Sequence, residues 1–325
     1  MNKEFKYNYE ILGSDGYYLV GYKDVIGLDN VHYYTRYNEG LNSIVSRMAR
    51  LTISKSVNRF VPHPFSKFVF PKLFHKGFKS DKPMCMLVFS SYAYLYDVSY
   101  FDWFKRKHPD CKLVMFYQDK VRVHTPNMDF KRLKKLFDLV YSYDQHDCDE
   151  FGLRYHPTPY SRHEIPCNGA IPASDVFFCG SAKTRYRTVL QAYEAFSKKG
   201  LKCDFYLSSV PSNCPRIPGV HYDERLSYID YLQHLSKSRA VLEVQQEGAD
   251  GFTPRLWESI IFDKHLITNN DAVFKSIFFN PSYHHSIDNS VDDSVAFINE
   301  RVKYSEAEKN NLSPINLLHH IEQNL

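Results

Sequence analysis

The segment from Gln246 to Glu258 carries the groups best suited to bind a phosphate ester. It reads Gln246-Glu247-Gly248-Ala249-Asp250-Gly251-Phe252-Thr253-Pro254-Arg255-Leu256-Trp257-Glu258. An apolar strand pattern over 240–244 leads into a glycine-containing loop, and Thr253 followed by Pro254 predicts the N-cap and first residue of a helix. The unpaired N–H groups and positive dipole end of such a helix favour an anion. Arg255, one step into the helix, can clamp a diphosphate through two charge-assisted hydrogen bonds. Glu258, about one turn further on, lies near the same face and can accept from ribose hydroxyls. The same residues also fit a plain capped helix whose Arg and Glu are solvated or paired locally.

The elements that position this loop follow from periodicity. From residue 83 onward, strand and helix patterns alternate, which predicts α/β layers. Strands are expected over 84–90, 112–118 and 139–143, with helices over 99–108, 128–137 and 147–151. Such β-α repeats imply right-handed crossovers and one parallel sheet. Four prolines (Pro157, Pro159, Pro166, Pro172) mark 156–173 as a linker. A second series follows, with strands over 176–179, 203–207, 240–244 and 265–268 and helices over 186–199, 228–236 and 255–262. The tail from residue 294 reads as helix interrupted by Pro314. Ligands in such sheets bind beyond the carboxyl ends of the strands. That rule selects Ser90, Ser91, Gln118, Asp119 and Asp144 in the first half, and Gly180, Ser181, Ser208, Ser209 and the 245–255 loop in the second.

Residues 250–258, opening on Asp250 and closing on Glu258, with the 259–269 stretch behind them, resemble the donor-binding signature of GT-B glycosyltransferases. That signature has an acid, a Gly/Phe loop and a second acid eight positions later, before a helix and a strand. Asp250 stands where many retaining members have Glu. Thr253, Arg255 and Glu258, then Lys264, Leu266, Ile267, Thr268 and Asn270, are similar to the pattern of bacterial lipopolysaccharide and capsular polysaccharide glycosyltransferases. Strand 175–181 with Lys183, Arg185 and Arg187 after it resembles the opening of their C-terminal domain. The similarity covers about residues 84–280.

The resemblance implies two Rossmann-like doubly wound α/β domains facing a cleft: residues 1–158 for the acceptor and 159–325 for the donor. It implies transfer of a sugar, UDP-linked and of galactose or galactofuranose type, from a nucleotide-sugar donor to a growing bacterial surface polysaccharide or lipid-linked glycan. A departing nucleoside diphosphate needs fixed donors at its oxygens. Gly180, Ser181, Lys183, Arg185, Thr253 and Arg255 take that role in the expected site, without metal or other cofactor. Ser208, Tyr222, Arg225 and Glu258 fall to the nucleoside. An inverting reaction needs a base for the acceptor hydroxyl; Asp119 and Asp144 fit, His146 less well, and each Asp also fits a helix cap. If Asp250 contacts the sugar, configuration is retained instead. A nonenzymatic nucleotide-sugar sensor on the same scaffold is the alternative.

Composition narrows the field. The chain has 325 residues, 43% hydrophobic and 24% charged, as a folded protein of two moderate domains would. No apolar run approaches the ~20 residues needed to span a bilayer, and no secretory h-region follows Met1. The seven cysteines are scattered and never form C-x-x-C, which predicts reduced thiols in a cytosol. Between residues 41 and 80 stand eight Lys or Arg and no acid, interleaved with Phe60, Phe65, Phe68, Phe70, Phe74 and Phe78. That pattern suits an anionic membrane surface or an ordinary basic loop and helix; the expected location is cytoplasmic, peripheral at the inner face of the membrane. No nucleic-acid module follows it, so no nucleic-acid partner is expected. Asp147-Cys148-Asp149 spells a D-x-D metal pattern, but it stands at the start of an expected helix. The adjacent pairs His284-His285 and His319-His320 share a metal poorly. No Gly-x-Gly-x-x-Gly or Walker loop occurs.

Overall fold

The computed structural model describes residues 4–35, 43–73, 77–124, 130–165, 169–212, 214–247 and 251–325. The chain forms two compact units, Met1–Arg162 with Leu312–Leu325, and His163–Asn311. The boundary at Arg162 falls inside the proline-rich stretch expected to link the domains.

The first unit is built on six parallel strands: β1 (Asn8–Leu12), β2 (Val31–Tyr34), β3 (Met84–Phe89), β4 (Lys112–Tyr117), β5 (Leu139–Ser142) and β6 (Arg154–Tyr155), in the order β2-β1-β3-β4-β5-β6. Strands β3 to β5 are the short apolar runs of the sequence, buried almost throughout as central parallel strands require. Strands β1 and β2 extend the sheet before the expected start. Asn8, Glu10 and His32 interrupt their apolar pattern, which conceals them from periodicity. The polar groups are accommodated individually. The Asn8 amide donates to the Ser80 and Lys82 carbonyls at 3.0 and 3.1 Å and accepts from the Ser80 hydroxyl at 2.8 Å. Glu10 is fully buried, and burial pushes its carboxyl up to about 8.

Alternation along β3 sends Met86 and Val88 to one face, with Phe101 and Phe104 of the Ser90–Lys107 helix. It sends Cys85, Leu87 and Phe89 to the other. The Ser90–Lys107 helix starts directly on the end of β3, well before the expected residue 99. The second face is closed by the Pro314–Asn324 helix, whose Leu317, Leu318 and Ile321 pack with Tyr9, Ile11 and Leu87. Glu322 of that helix accepts from the Lys6 N–H at 2.6 Å and the Tyr9 hydroxyl at 3.2 Å. Each of the three aliphatic side chains contributes up to about 1.5–3 kcal/mol by burial. That burial groups residues 312–325 with the first unit, whereas the sequence expectation groups them with the second domain.

The second unit carries β7 (Ser174–Ser181), β8 (Cys203–Ser208), β9 (Val220–Tyr222), β10 (Ser238–Glu243), β11 (His265–Thr268) and β12 (His284–Ser286). All pairings are parallel, in the order β12-β11-β10-β7-β8-β9. Read from β9, this is the doubly wound 3-2-1-4-5-6 arrangement, whose direction reverses between β7 and β10. Val189, Leu190 and Phe196 of the Tyr186–Lys198 helix cover Val176, Phe178, Phe205 and Leu242. The edge strands β9 and β12, three residues each, are too short to leave a period in the sequence. Two Rossmann-like sheets with helices packed around them are consistent with the GT-B two-domain fold.

Candidate functional site

In a doubly wound sheet the loops at the point of reversal part and leave a crevice at the strand ends. In the second unit those loops follow Ser181 of β7 and Glu243 of β10. Gln246 ties the two loops together, and Gln245 and Asn270 brace the second. Gln246 accepts from the Thr184 N–H and hydroxyl at 3.2 and 2.8 Å and donates to the Ser181 carbonyl at 3.0 Å. Gln245 and Asn270 both donate to the Gly251 carbonyl, at 3.0 and 2.9 Å. The Ala182 N–H donates to the Ser208 carbonyl at 2.7 Å, joining the end of β8 to the same loop. Lys183 takes a left-handed φ of 41° there, a backbone that costs a lysine about 1–2 kcal/mol and that the surrounding bonds hold.

The Pro254–Ile261 helix begins as expected. Thr253 is its N-cap, its hydroxyl accepting from the Arg255 N–H at 3.3 Å, and Pro254 is its first residue. The Thr253 hydroxyl also donates to Glu243. Glu243 is fully buried at the end of β10 and accepts from the Thr268 hydroxyl of β11 at 2.5 Å. A charged residue closing the apolar run 240–242 is the one signal by which the sequence could have flagged this anchor.

Two guanidinium groups converge on this framework. Arg185 donates from Nε to the Ser181 carbonyl at 2.9 Å and from Nη1 to the Val244 carbonyl. Arg255 donates from Nη2 to the Cys179 carbonyl. Both lie over the Phe178 ring, at 5.3 and 5.5 Å from its centroid. Gly180 makes the approach feasible: a Cβ there would stand 2.6 Å from Arg185 Nη2 and 3.1 Å from Arg255 Nη2. Burial, and then the charge of Arg255, pull the Arg185 guanidinium down to about 10. Burial also works against Arg255, but the Tyr231, Glu258 and Glu243 oxygens outweigh it and raise its value. Arg255 Nε and Ser181 Oγ are buried here without a hydrogen-bond partner among the described residues. The two guanidiniums lie side by side, bonded to neutral carbonyls, with the Glu243 and Glu258 carboxyls acting on Arg255 from behind; an anion would relieve the repulsion between them.

Gly180, Ser181, Arg185, Thr253 and Arg255 are thus brought together, and exposed Lys183 flanks them. Glu258 is buried, its oxygens accepting from the hydroxyls of Tyr228 at 2.7 Å and Tyr231 at 2.5 Å. Burial raises its carboxyl against the pull of those bonds. Ser208 closes β8. Tyr222 ends β9, its hydroxyl accepting from the Ile217 N–H at 2.8 Å and its ring lying under Arg216. Arg225 is exposed beyond it. Asp250 lies outside the described residues.

In the first unit Asp119 follows β4 at the surface, and partial burial raises its carboxyl. Asp144 is buried and caps the Gln145–Phe151 helix, accepting from the Asp147 N–H at 2.9 Å; His146, in that helix, is within 3.6 Å of Glu150. The D-x-D pair is spent locally: Asp147 accepts from the Val121 N–H at 2.7 Å and Asp149 from Gln145 at 2.9 Å. Among the described residues no group of three or more His, Cys, Asp or Glu side chains is placed to hold a metal ion. Phe178, Thr184, Glu243 and Gln246 are the site residues that sequence reasoning assigned no role.

No protein-family model matches the sequence, and no curated protein matches it. Among solved structures, the chain is similar to UDP-GlcNAc 2-epimerase from Methanocaldococcus jannaschii, at 10% identity and a TM-score of 0.51 over 97% of this chain and 99% of that one. It is also similar to the catalytic domain of starch synthase IV from Arabidopsis thaliana, bound to ADP and acarbose, at 10% identity and a TM-score of 0.48 over 90% and 81% of the two chains. The Gap123 glycosylation-associated complex of Streptococcus agalactiae matches at 10% identity and 0.46, over 83% and 59%. At such identity the likeness is one of fold, and the first match extends it over nearly the whole of both chains. The architecture is GT-B-like.

Proposed function

We propose that the protein is a glycosyltransferase that moves a sugar from a nucleotide-linked donor to a glycan or lipid-linked acceptor, as in bacterial surface polysaccharide assembly. The observation that carries the proposal is the pair Arg185 and Arg255 over Gly180, at the reversal point of a doubly wound sheet and beside the start of the Pro254–Ile261 helix. A nucleoside diphosphate leaving group develops negative charge on its oxygens, and preorganised cations and N–H groups stabilise it most where little water competes. In this reading Arg255 Nε and Ser181 Oγ, unpartnered among the described residues, complete their hydrogen bonding on the diphosphate. Glu258 receives the ribose only if its hydroxyls replace the Tyr228 phenol, since Tyr231 is the more deeply buried partner. Asp119 is the better-supported base, because the Asp144 carboxylate is committed to a helix cap. The donor is UDP-linked, and its sugar is of galactose type.

The test is calorimetric titration with UDP, followed by nucleoside diphosphate release from a panel of nucleotide sugars with and without acceptor glycans. Arg255→Ala is expected to weaken UDP binding about 10- to 100-fold, the worth of a charge-assisted hydrogen bond or two. Wild-type affinity in that variant defeats the proposal. Binding without turnover, and without hydrolysis of any donor, favours a sensor instead.

A further inference from the structure

Among the described residues eleven large hydrophobic side chains stand exposed, and six of them lie between residues 44 and 68: Ile44, Leu51, Phe60, Val61, Phe65 and Phe68. Phe60 is 82% exposed and Phe68 69%. Clustering of this kind is unusual on a soluble surface and marks a docking face. The segment that carries them is built, with its polar groups already occupied. Asn58 donates to the Thr52 carbonyl at 3.0 Å and accepts from the His63 N–H at 3.0 Å. The Thr52 hydroxyl donates to the Pro64 carbonyl. The His63 ring meets the Ser99 hydroxyl, on the Ser90–Lys107 helix, at 2.9 Å. His63 and Phe65 both hold left-handed backbones, at φ 44° and 64°. Beneath the exposed set, Ala49, Thr52, Val69, Phe70 and Leu73 are buried, so the outward residues are surplus to the core.

Charge names the occupant. Arg47, Arg50, Arg59, Lys67 and Lys72 stand exposed among these wedges, and residues 41–80 contain no acid. An apolar protein partner would not call for this uniform positive surround, whereas an anionic bilayer takes aromatic wedges below its headgroups and Lys or Arg at them. No helix among the described residues is long and apolar enough to cross a membrane, so the attachment is to a surface. We propose that residues 44–72 of the first unit dock on an anionic phospholipid membrane, with Phe60, Val61, Phe65 and Phe68 inserted and the five basic residues at the headgroups. This does not rest on the donor site, and Arg255→Ala is expected to leave it unchanged.

The experiment is vesicle flotation of the full chain without nucleotide, on phosphatidylcholine vesicles and on vesicles with one third phosphatidylglycerol. Flotation with the anionic vesicles alone, falling as salt rises, is expected. Phe60→Ser with Phe68→Ser lowers partitioning about tenfold or more at any salt. Arg47→Gln with Lys67→Gln lowers it about fivefold per residue at low salt and little at high salt. All four positions are exposed, and thermal unfolding of both variants is expected to match the wild type. Equal flotation with neutral and anionic vesicles, none with either, or wild-type flotation in the Phe variant overturns the proposal. So does a concentration-dependent dimer that the Phe variant abolishes in a chain that binds no vesicles, because the face would then belong to a second copy.

Discussion

The two sheets reverse direction at equivalent places, and the residues there are opposite in character. In the second unit the segment after β7 carries Arg185 and the helix that follows the β10 loop opens with Arg255, both packed on Phe178 and Gly180. In the first unit the reversal lies between β1 and β3, and the loop after β1 and the start of the Ser90–Lys107 helix bring hydroxyls together. The Ser14 and Ser91 hydroxyls are 3.1 Å apart, and the Tyr33 phenol donates to the Ser14 carbonyl at 3.0 Å. A glycine is required there too, since a Cβ on Gly13 would stand 2.1 Å from the Tyr33 ring. Topology therefore decides where a ligand can sit, and side-chain charge decides which one. The arginine pair is the feature on which the proposed diphosphate site rests, and the first unit has none at its reversal point among the described residues.

The comparison breaks most readily at the arginines. Arg185→Ala with Arg255→Ala is expected to lower UDP affinity about 100-fold or more by calorimetry, whereas Ser14→Ala with Ser91→Ala leaves it unchanged. Equal losses from the two pairs would show that charge at the reversal point does not select the ligand. Next in size is the anchor beneath the cationic crevice. Thr268→Val leaves one oxygen of buried Glu243 short of a donor and is expected to cost about 1–3 kcal/mol in denaturant unfolding.

Burial raises a carboxyl in each unit, Glu10 in the first and Glu258 in the second, and Glu10 gives folding stability a pH dependence. Burial holds the Glu10 carboxyl near 8 in the folded chain, above the ~4.3 of an unfolded glutamate. The folded state therefore binds the extra proton between those values, and stability falls as pH rises through that window. The slope is at most about 1.4 kcal/mol per pH unit, and Glu10→Gln should flatten it when unfolding is followed from pH 5 to 8. The smallest effect concerns Tyr228. Tyr228→Phe releases one Glu258 oxygen, so UDP affinity is expected to hold or rise a few-fold; a loss would show that the phenol itself contacts the nucleotide.

Much of the scaffold was legible because its causes are local. Short apolar runs ending in small or polar residues mark β3, β4, β5, β7, β8, β10 and β11. Thr253-Pro254 marks the start of a helix within one turn of the residues that decide it. The strands that escaped are those with buried polar residues, such as Asn8 and Glu10 in β1, or those of two to four residues at the sheet edges. Asp144 shows the limit at the site: an Asp after a strand reads equally as a base or a cap, and only the bond to the Asp147 N–H distinguishes them.

By itself the amino-acid sequence determined the alternation of strands and helices, the capped helix at Pro254 and the acid-free basic stretch, since these depend on neighbours a few positions apart. Folding in three dimensions decided which distant residues meet. It set Arg185 beside Arg255 over a single glycine, bound Glu243 to Thr253 and Thr268, turned Glu258 toward two tyrosines, and placed the final helix on the first sheet. These contacts join residues from 10 to 313 positions apart along the chain, and burial and strand order, which no short window of sequence contains, bring them together.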